Sequence, residues 1–407
     1  MKKVIGPFLQ LVTLRNLSER GAIKDEQLEI ISGGGLLVED GYIQEVAPFD
    51  ELVKSNQKVS IDEVEGDRVG LPGLIDCHTH ICFAGSRARD YAARNNGKTY
   101  QEIAKAGGGI WDTVTKTRDA GEQELRQNTS ERLSLLLKRG ITTVEIKSGY
   151  GLSVEDELKM LRAIQIAGAN SQADVVPTCL SAHIIPREFK KEADYLEFIL
   201  REILPKVREE KLAKRFDIFI EENAFTPSLS LGFLNAIKKA DFSLTVHGDQ
   251  FTTGGSQVAI SCKASSVDHL EASGDEEVKA LSQSQVTPVV LPGASIGLGL
   301  PFAPARKLLD ADCSLAIASD WNPGSAPQGN LLTQASMLGT YEKLSAAEIF
   351  AGITFRAAKA LKLTDRGILE AGKVADFTSF DCADYREILY HQGELQPSMT
   401  WKKGEMV

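Results

Sequence analysis

A chain of 407 residues exceeds one small domain and suits a barrel of roughly 250 residues with an accessory unit. Its formal net charge of −10 argues against nucleic acid or an anionic membrane as the main partner. No apolar run approaches the roughly 20 residues of a membrane span, and the six scattered cysteines form no C-x-x-C pair, which excludes a disulfide framework and fits a reducing cytoplasm.

The N-terminus starts charged but has no apolar stretch of signal-peptide length. Residues 3–70 predict a small β region, with strand-like runs at 9–17, 28–31 and 35–43 broken at Gly33-Gly34-Gly35 and Asp40-Gly41. No helical period shows there.

From Leu71 onward, strand and helix alternate. Eight strands are predicted, at 74–80, 141–147, 174–183, 216–222, 242–247, 266–270, 286–291 and 314–319. The helices between them carry recognisable ends. Ser153 and Asp156 have the spacing of a capping box; the helical run 122–139 stops at Gly140; Thr226-Pro227 offers a cap followed by a first-turn proline. Helical stretches at 330–344 and 346–363 follow the eighth strand, and 367–377 turns β-like again. Eight βα units in succession predict a closed parallel barrel. The expected fold is α/β: a (β/α)8 TIM-type barrel over 71–364, with a small composite β-sandwich domain built from 1–70 and 365–407.

Barrel enzymes work at the carboxyl ends of their strands, so candidate residues can be read off there. The first strand leaves a Pro72-Gly73 turn and ends in His78-Thr79-His80. Alternation along a strand sends both imidazoles the same way. The other strand ends supply Lys147-Ser148-Gly149-Tyr150, His183, Glu221-Glu222, His247, Asp268-His269 and Asp320. Five of the six histidines fall at such positions, and only His391 does not. Taken singly, each has a bland reading. A lone strand-end histidine is usually just hydrogen-bonded, Asp320 could open a turn before Asn322-Pro323-Gly324, Tyr150 could pack, and Arg87 could be half of a surface ion pair. Glu221-Glu222 is read as solvated loop charge. For the set, convergence favours a metal site, and imidazole with carboxylate suits zinc or iron.

His-x-His on the first strand, histidines after the fifth and sixth, and an aspartate after the eighth resemble the amidohydrolase superfamily. Many of its members bridge two metals with a lysine on the fourth strand. Residues 216–222 contain none, so the resemblance implies one zinc or iron ion per subunit, held by His78, His80, His247 and Asp320. Longer segments are similar to the imidazolonepropionase family in particular: His78 through Arg87, Tyr100 through Ile110 with its three glycines, Glu145 through Leu152, Ala182-His183, His247 through Gln250, Asp268 through Leu270, and Asp320 through Gly324. The tail's Gly372-Lys373-Val374-Ala375-Asp376 looks like the superfamily's return to the β domain.

That resemblance implies metal-dependent hydrolysis of the cyclic amide of 4-imidazolone-5-propanoate to N-formimidoyl-L-glutamate, a step of histidine degradation. Asp320 would take a proton from water, and His269 would act as acid/base or hold the oxyanion. Arg87 would receive the propionate carboxylate. Tyr150, His183 and Gln250 would line the ring, and Asn322, Gly324 and Ser325 would close over it. A cytoplasmic homodimer acting on a small molecule is implied, with no nucleic-acid or membrane partner. Two departures stand out: Gln250 replaces a glutamate found in some members, and 295–304 is glycine-rich. The main rival is a mononuclear deaminase of a purine, pyrimidine or related cyclic amidine. Gln250 and Arg87 count against it, since a deaminase needs an acid at the ring nitrogen and a nucleobase has no carboxylate. A metal-binding scaffold without catalysis would be expected to have lost a ligand or proton carrier, and none is missing.

Overall fold

The computed structural model describes residues 2–222 and 224–407, apart from the side chains of Tyr100, Gln101 and Ala104. Those three belong to the Tyr100–Ile110 segment and lie outside the described residues. Five strands open the chain: β1 (Lys2–Val12), β2 (Ile30–Glu39), β3 (Tyr42–Pro48), β4 (Ser60–Glu63) and β5 (Val69–Pro72). Eight follow in the central part: β6 (Leu74–Asp76), β7 (Ile141–Lys147), β8 (Asp174–Ala182), β9 (Arg215–Ile220), β10 (Ser243–Gly248), β11 (Ser266–His269), β12 (Thr287–Val290) and β13 (Ala316–Ile317). The tail adds β14 (Phe377–Phe380), β15 (Met399–Lys402) and β16 (Glu405–Met406).

Strands β6 to β13 pair in chain order and in parallel. The ring closes just past the ends of β6 and β13. Thr79 bridges Trp321 in parallel, Asp320 N donates to His78 O at 3.1 Å, and His80 N donates to Trp321 O at 2.9 Å. The backbone that closes the barrel is therefore the backbone that carries His78, His80 and Asp320. All eight predicted strands are present, although the first and last are shorter as regular ladder than expected, because their ends leave it to build the site.

The terminal strands form one sheet in the order β16-β15-β14-β5-β1-β2-β3, with β4 on β1. Its core holds Ile5, Phe8, Leu36, Val38, Phe377 and Trp401, with Phe377 stacked on Trp401 at 4.6 Å between ring centroids. The first and last segments thus need each other to bury their apolar faces, which supports their expected partnership.

Local structure departs from expectation in several places, the first being Gly33-Gly34-Gly35, expected as a turn but lying inside β2. A short helix, Phe49–Ser55, sits among the N-terminal strands; it buries Phe49 and Leu52 against Val4 and Leu37, too short a stretch to show a period. The run 346–363 is two helices, Ala346–Gly352 and Phe355–Ala360, parted at Thr354, whose backbone leaves the helical region (φ −132°, ψ −104°). In 367–377 only Phe377 is in a strand, and Val374 makes one isolated bridge to Tyr42. Gly367 and Gly372 turn the chain there at φ 88° and 86°.

Helix ends follow the sequence more closely. Ser153 accepts from Asp156 N and caps Val154–Ala169, and Asn330 caps Leu331–Glu342. Thr226 precedes Pro227–Lys239 without capping it, because its hydroxyl donates to Glu192 instead. Among the described residues no helix is long and apolar enough to cross a membrane. All six cysteines are free and buried.

Candidate metal centre

Three imidazoles and one carboxylate meet at the carboxyl face of the barrel. His78 Nε2 and His247 Nε2 each stand 3.2 Å from His80 Nε2. Asp320 Oδ1 lies 3.5 Å from His78 Nε2 and 3.4 Å from His80 Nε2. All four side chains are buried. Nitrogen lone pairs so close repel unless something positive sits among them. Donors bound at about 2.0–2.1 Å to a tetrahedral ion stand about 3.3 Å from one another, and the four spacings above are close to that edge; His78, His247 and His269 form a second close group. Imidazole with carboxylate is a donor set that suits a metal ion.

Two of the three imidazoles are neutral as they stand, and the third must give up a proton to bind. Burial pushes His80 and His247 down to about 3, so both are neutral and offer a lone pair. Burial and Lys147 push His78 the same way, but Asp268 and Asp320 outweigh them and bring it up to about 9. For Asp320, burial opposes ionisation, yet His78 and His80 hold the carboxyl well below its usual range.

Behind the donors lies a ring of buried charge. Asp268 Oδ2 is 2.7 Å from His78 Nδ1, and Asp217 Oδ2 is 2.9 Å from His247 Nδ1. The hydrogen bond to Asp268 keeps a proton on His78 Nδ1 and points its Nε2 at the centre, while Asp217 faces His247 Nδ1 as a close electrostatic contact outside hydrogen-bond alignment. His80 Nδ1 has no hydrogen-bond partner among the described residues. Beneath them Lys147 Nζ lies 2.8 Å from Asp217 Oδ2 and 2.8 Å from Glu145 Oε1, and 3.9 Å from Asp268 Oδ2. Glu145 in turn meets the backbone of the His-Thr-His segment: its Oε2 accepts from Thr79 N at 3.3 Å, and its main-chain O accepts from Thr79 Oγ1 at 2.6 Å.

His269 lies beside the centre, its ring 5.3 Å from that of His247, and its Nδ1 is 3.4 Å from the buried Glu271 Oε2. His183 stacks 5.4 Å from His80, and Tyr150 lies 5.4 Å from His183. His183 Nδ1 donates to Gly149 O at 3.0 Å, so Nε2 carries the lone pair. Gln250 is buried at the end of the β10 loop. Non-glycine residues with positive φ cluster here: Asp249 at 58°, His269 at 93°, Leu270 at 75° and Asp320 at 52°. Such strain persists where packing aims side chains at one point.

A cavity of about 410 Å³ borders the Trp321-Asn322 turn that follows Asp320, lined by Phe83, Arg87, Tyr91, Arg132, Trp321 and Asn322 among others and by none of the four donors, a volume suited to a small metabolite. Arg87 Nε donates to Asp90 Oδ2 at 2.8 Å. A Cβ on Gly324 would stand 2.2 Å from Arg87 Nη1, so only glycine lets the guanidinium lie there. Asn322 is occupied within its own turn: Nδ2 donates to Asp320 Oδ2 at 2.9 Å and to Ser325 Oγ at 2.9 Å, while Oδ1 accepts from Gly324 N at 2.7 Å and Ser325 N at 2.8 Å. In this arrangement Asn322 and Ser325 hold Asp320 in place.

Glu221 corrects the sequence reading. It is buried, and its Oε2 accepts from Phe251 N at 2.9 Å and Thr252 N at 3.2 Å. It clamps the loop bearing Gln250 and is not a solvated charge; only the tertiary approach of two loops reveals this. Asp217, Glu145, Lys147 and Glu271 also escaped assignment. For the first three the signal is a charge inside an otherwise apolar strand, as in Phe216-Asp217-Ile218, where burial demands a partner; Glu271 lies in the turn past β11 and carries no such signal.

Fold and site together define a metal-dependent hydrolase of the barrel type. Residues 69–407 match the profile of the amidohydrolase family, and the chain belongs to that family. The relatives it matches are more particular. It is 39% identical over 404 residues to the imidazolonepropionase of Bdellovibrio bacteriovorus, covering 98% of this chain and 94% of that one. The imidazolonepropionase of Rubrobacter xylanophilus is 41% identical over 385 residues, covering 94% and 92%. An adenosine deaminase from Xanthomonas campestris with bound zinc shares the fold at a TM-score of 0.72 with 16% identity, covering 99% of this chain and 92% of that one. At that identity it speaks to fold alone.

Proposed function

We propose that this chain hydrolyses the ring amide of 4-imidazolone-5-propanoate to N-formimidoyl-L-glutamate, as its near full-length likeness to imidazolonepropionases supports. The observation that carries the reading is the close approach of His78, His80, His247 and Asp320, with Arg87 at a cavity beside the turn that follows Asp320. His78, His80, His247 and Asp320 would hold one ion, zinc or iron. When bound, such an ion acidifies a water toward a pKa of about 7 and polarises a carbonyl.

The side chains supply the rest. Asp320 is ionised and aimed by Asn322, so it accepts a proton from the attacking water. His269, backed by Glu271, donates to the oxyanion or to the departing ring nitrogen as the carbon–nitrogen bond breaks. Burial holds His183 near a pKa of about 3, so it stays neutral and its Nε2 accepts a ring N–H. Tyr150 is a neutral phenol, raised by burial, and can donate. Arg87 presents its two Nη groups to the propionate while Asp90 holds Nε. Gln250, an amide, can hydrogen-bond the ring but cannot serve as a carboxylate base. The family resemblance supports a cytoplasmic homodimer.

The decisive assay follows the loss of imidazolone-propionate absorbance by zinc- or iron-loaded protein, with ammonia measured in parallel. Ring opening without ammonia is expected. Ammonia release from a nucleobase panel, with no turnover of imidazolone propionate, would establish a deaminase instead.

A further inference from the structure

Tyr150 and His183 owe their places to a tight loop, 148–152, that local preference does not hold. Gly149 sits at φ 112° and Leu152 at φ 59°, the latter in a region that leucine avoids. The loop is also pressed onto the start of the helix Val154–Ala169: a Cβ on Gly151 would stand 2.5 Å from Glu157 N and from the carbonyl carbon of Asp156.

One side chain gathers it. Glu157 Oε1 accepts from Gly149 N at 3.2 Å, Gly151 N at 2.9 Å and Leu152 N at 2.9 Å. Two of these amides flank Tyr150. One of the two, Gly149, also gives its carbonyl to His183 Nδ1, so one glutamate oxygen stands two bonding steps from the His183 tautomer. Glu157 is fully buried and rides the first turn of a capped helix, which makes it a rigid anchor. Tyr195 adds a crosslink, its hydroxyl 3.2 Å from Leu152 O and 2.8 Å from Ser181 O, tying the loop to the end of β8.

We infer that Glu157 is a positioning residue for the hydrolysis: by collecting three loop amides on one oxygen it places Tyr150 and sets the tautomer and direction of His183, without touching substrate. The consequence for turnover rests on the function proposed above; the effect on His183 does not.

The test compares wild type, Glu157→Gln and Glu157→Ala as zinc-loaded, full-length protein of equal metal content and folded fraction. The glutamine keeps an oxygen at the same reach, so its kcat/KM should remain close to wild type. The alanine leaves three amides without an acceptor, and a displaced loop is expected to lower kcat/KM by about 10- to 100-fold at unchanged metal content. Spectra of 15N-histidine protein, with the His183 signal assigned from His183→Asn, should show one Nδ1–H tautomer in wild type and Glu157→Gln and its loss in Glu157→Ala. An unchanged His183 signal in Glu157→Ala overturns the proposal whatever the activity does. If Glu157→Ala does not fold, Glu157→Asp, which withdraws the oxygen by one methylene and keeps the charge, takes its place with the same outcomes. If wild type does not turn over imidazolone propionate, the functional reading falls, and the His183 signal alone decides the positioning role.

Discussion

Asp268 Oδ2 lies 2.7 Å from His78 Nδ1, and both side chains are buried. Once an ion binds, the carboxylate keeps the remaining proton on Nδ1 and leaves Nε2 bare toward the centre. Asp217 Oδ2 faces His247 Nδ1 at 2.9 Å as an electrostatic contact.

Asp268→Asn and Asp217→Asn should each weaken metal binding by about 10- to 100-fold, the usual effect of removing a partner behind a ligating histidine. An amide can present its NH2 to Nδ1 and favour the wrong tautomer. Zinc affinity by chelator competition measures this without reference to turnover, and affinities within twofold of wild type would exclude the role.

Metal uptake should expel a proton from His78. The metal-free protein holds that imidazole at about 9, while His80 and His247, at about 3, are already neutral. Ligation needs a bare Nε2, so about one proton should be released per ion near pH 7, falling away as the pH passes about 9. Calorimetry in buffers of different ionisation enthalpy counts it. The same raised pKa makes His78 stabilise the metal-free fold below its ordinary value of 6.5, a contribution lost as the pH climbs to about 9.

Lys147 neutralises carboxylates from β7, β9 and β11, and has no water to replace it. Burial favours loss of its proton, but Asp217, Glu145 and Asp268 outweigh this and raise its pKa. Lys147→Met should cost about 3–5 kcal/mol, the penalty for stranding buried charge. Lys147→Met with Glu145→Gln should recover part of that loss. Chemical denaturation reads both, and a single variant within 1 kcal/mol of wild type, by the order-of-magnitude range for such pairs, would refute the ion-pair account.

Arg87 is aimed by its neighbours. Asp90 Oδ2 takes both Arg87 Nε at 2.8 Å and Gly109 N at 2.8 Å, and a Cβ on Gly108 would stand 2.3 Å from Asp90 Oδ1. The triple-glycine segment thus lets one carboxylate hold the arginine. Arg87→Ala should raise KM by about 10- to 100-fold with a smaller change in kcat, and Asp90→Asn should raise it less, as expected for a charge-assisted bond worth about 1.5–3 kcal/mol. Gly108→Ala should resemble Asp90→Asn. Steady-state kinetics separate the terms, and an unchanged KM in Arg87→Ala would remove the carboxylate role.

Much of this was legible before folding was considered. Period-two alternation places His78 and His80 on one side, and a closed parallel barrel sends every strand end to one face, so His183, His247, His269 and Asp320 had to meet them. Both are short-range or topological rules that a linear pattern carries. Tertiary structure alone decided the rest. Lys147 finds Asp217 across 70 positions because neighbouring strands fall into a particular register. Glu157 turns back on its own loop, Glu221 reaches a neighbouring one, and the helix after residue 345 breaks at Thr354 because the chain must turn there. A buried charge announces that it needs a partner, but which partner it meets depends on packing distances that no local pattern contains.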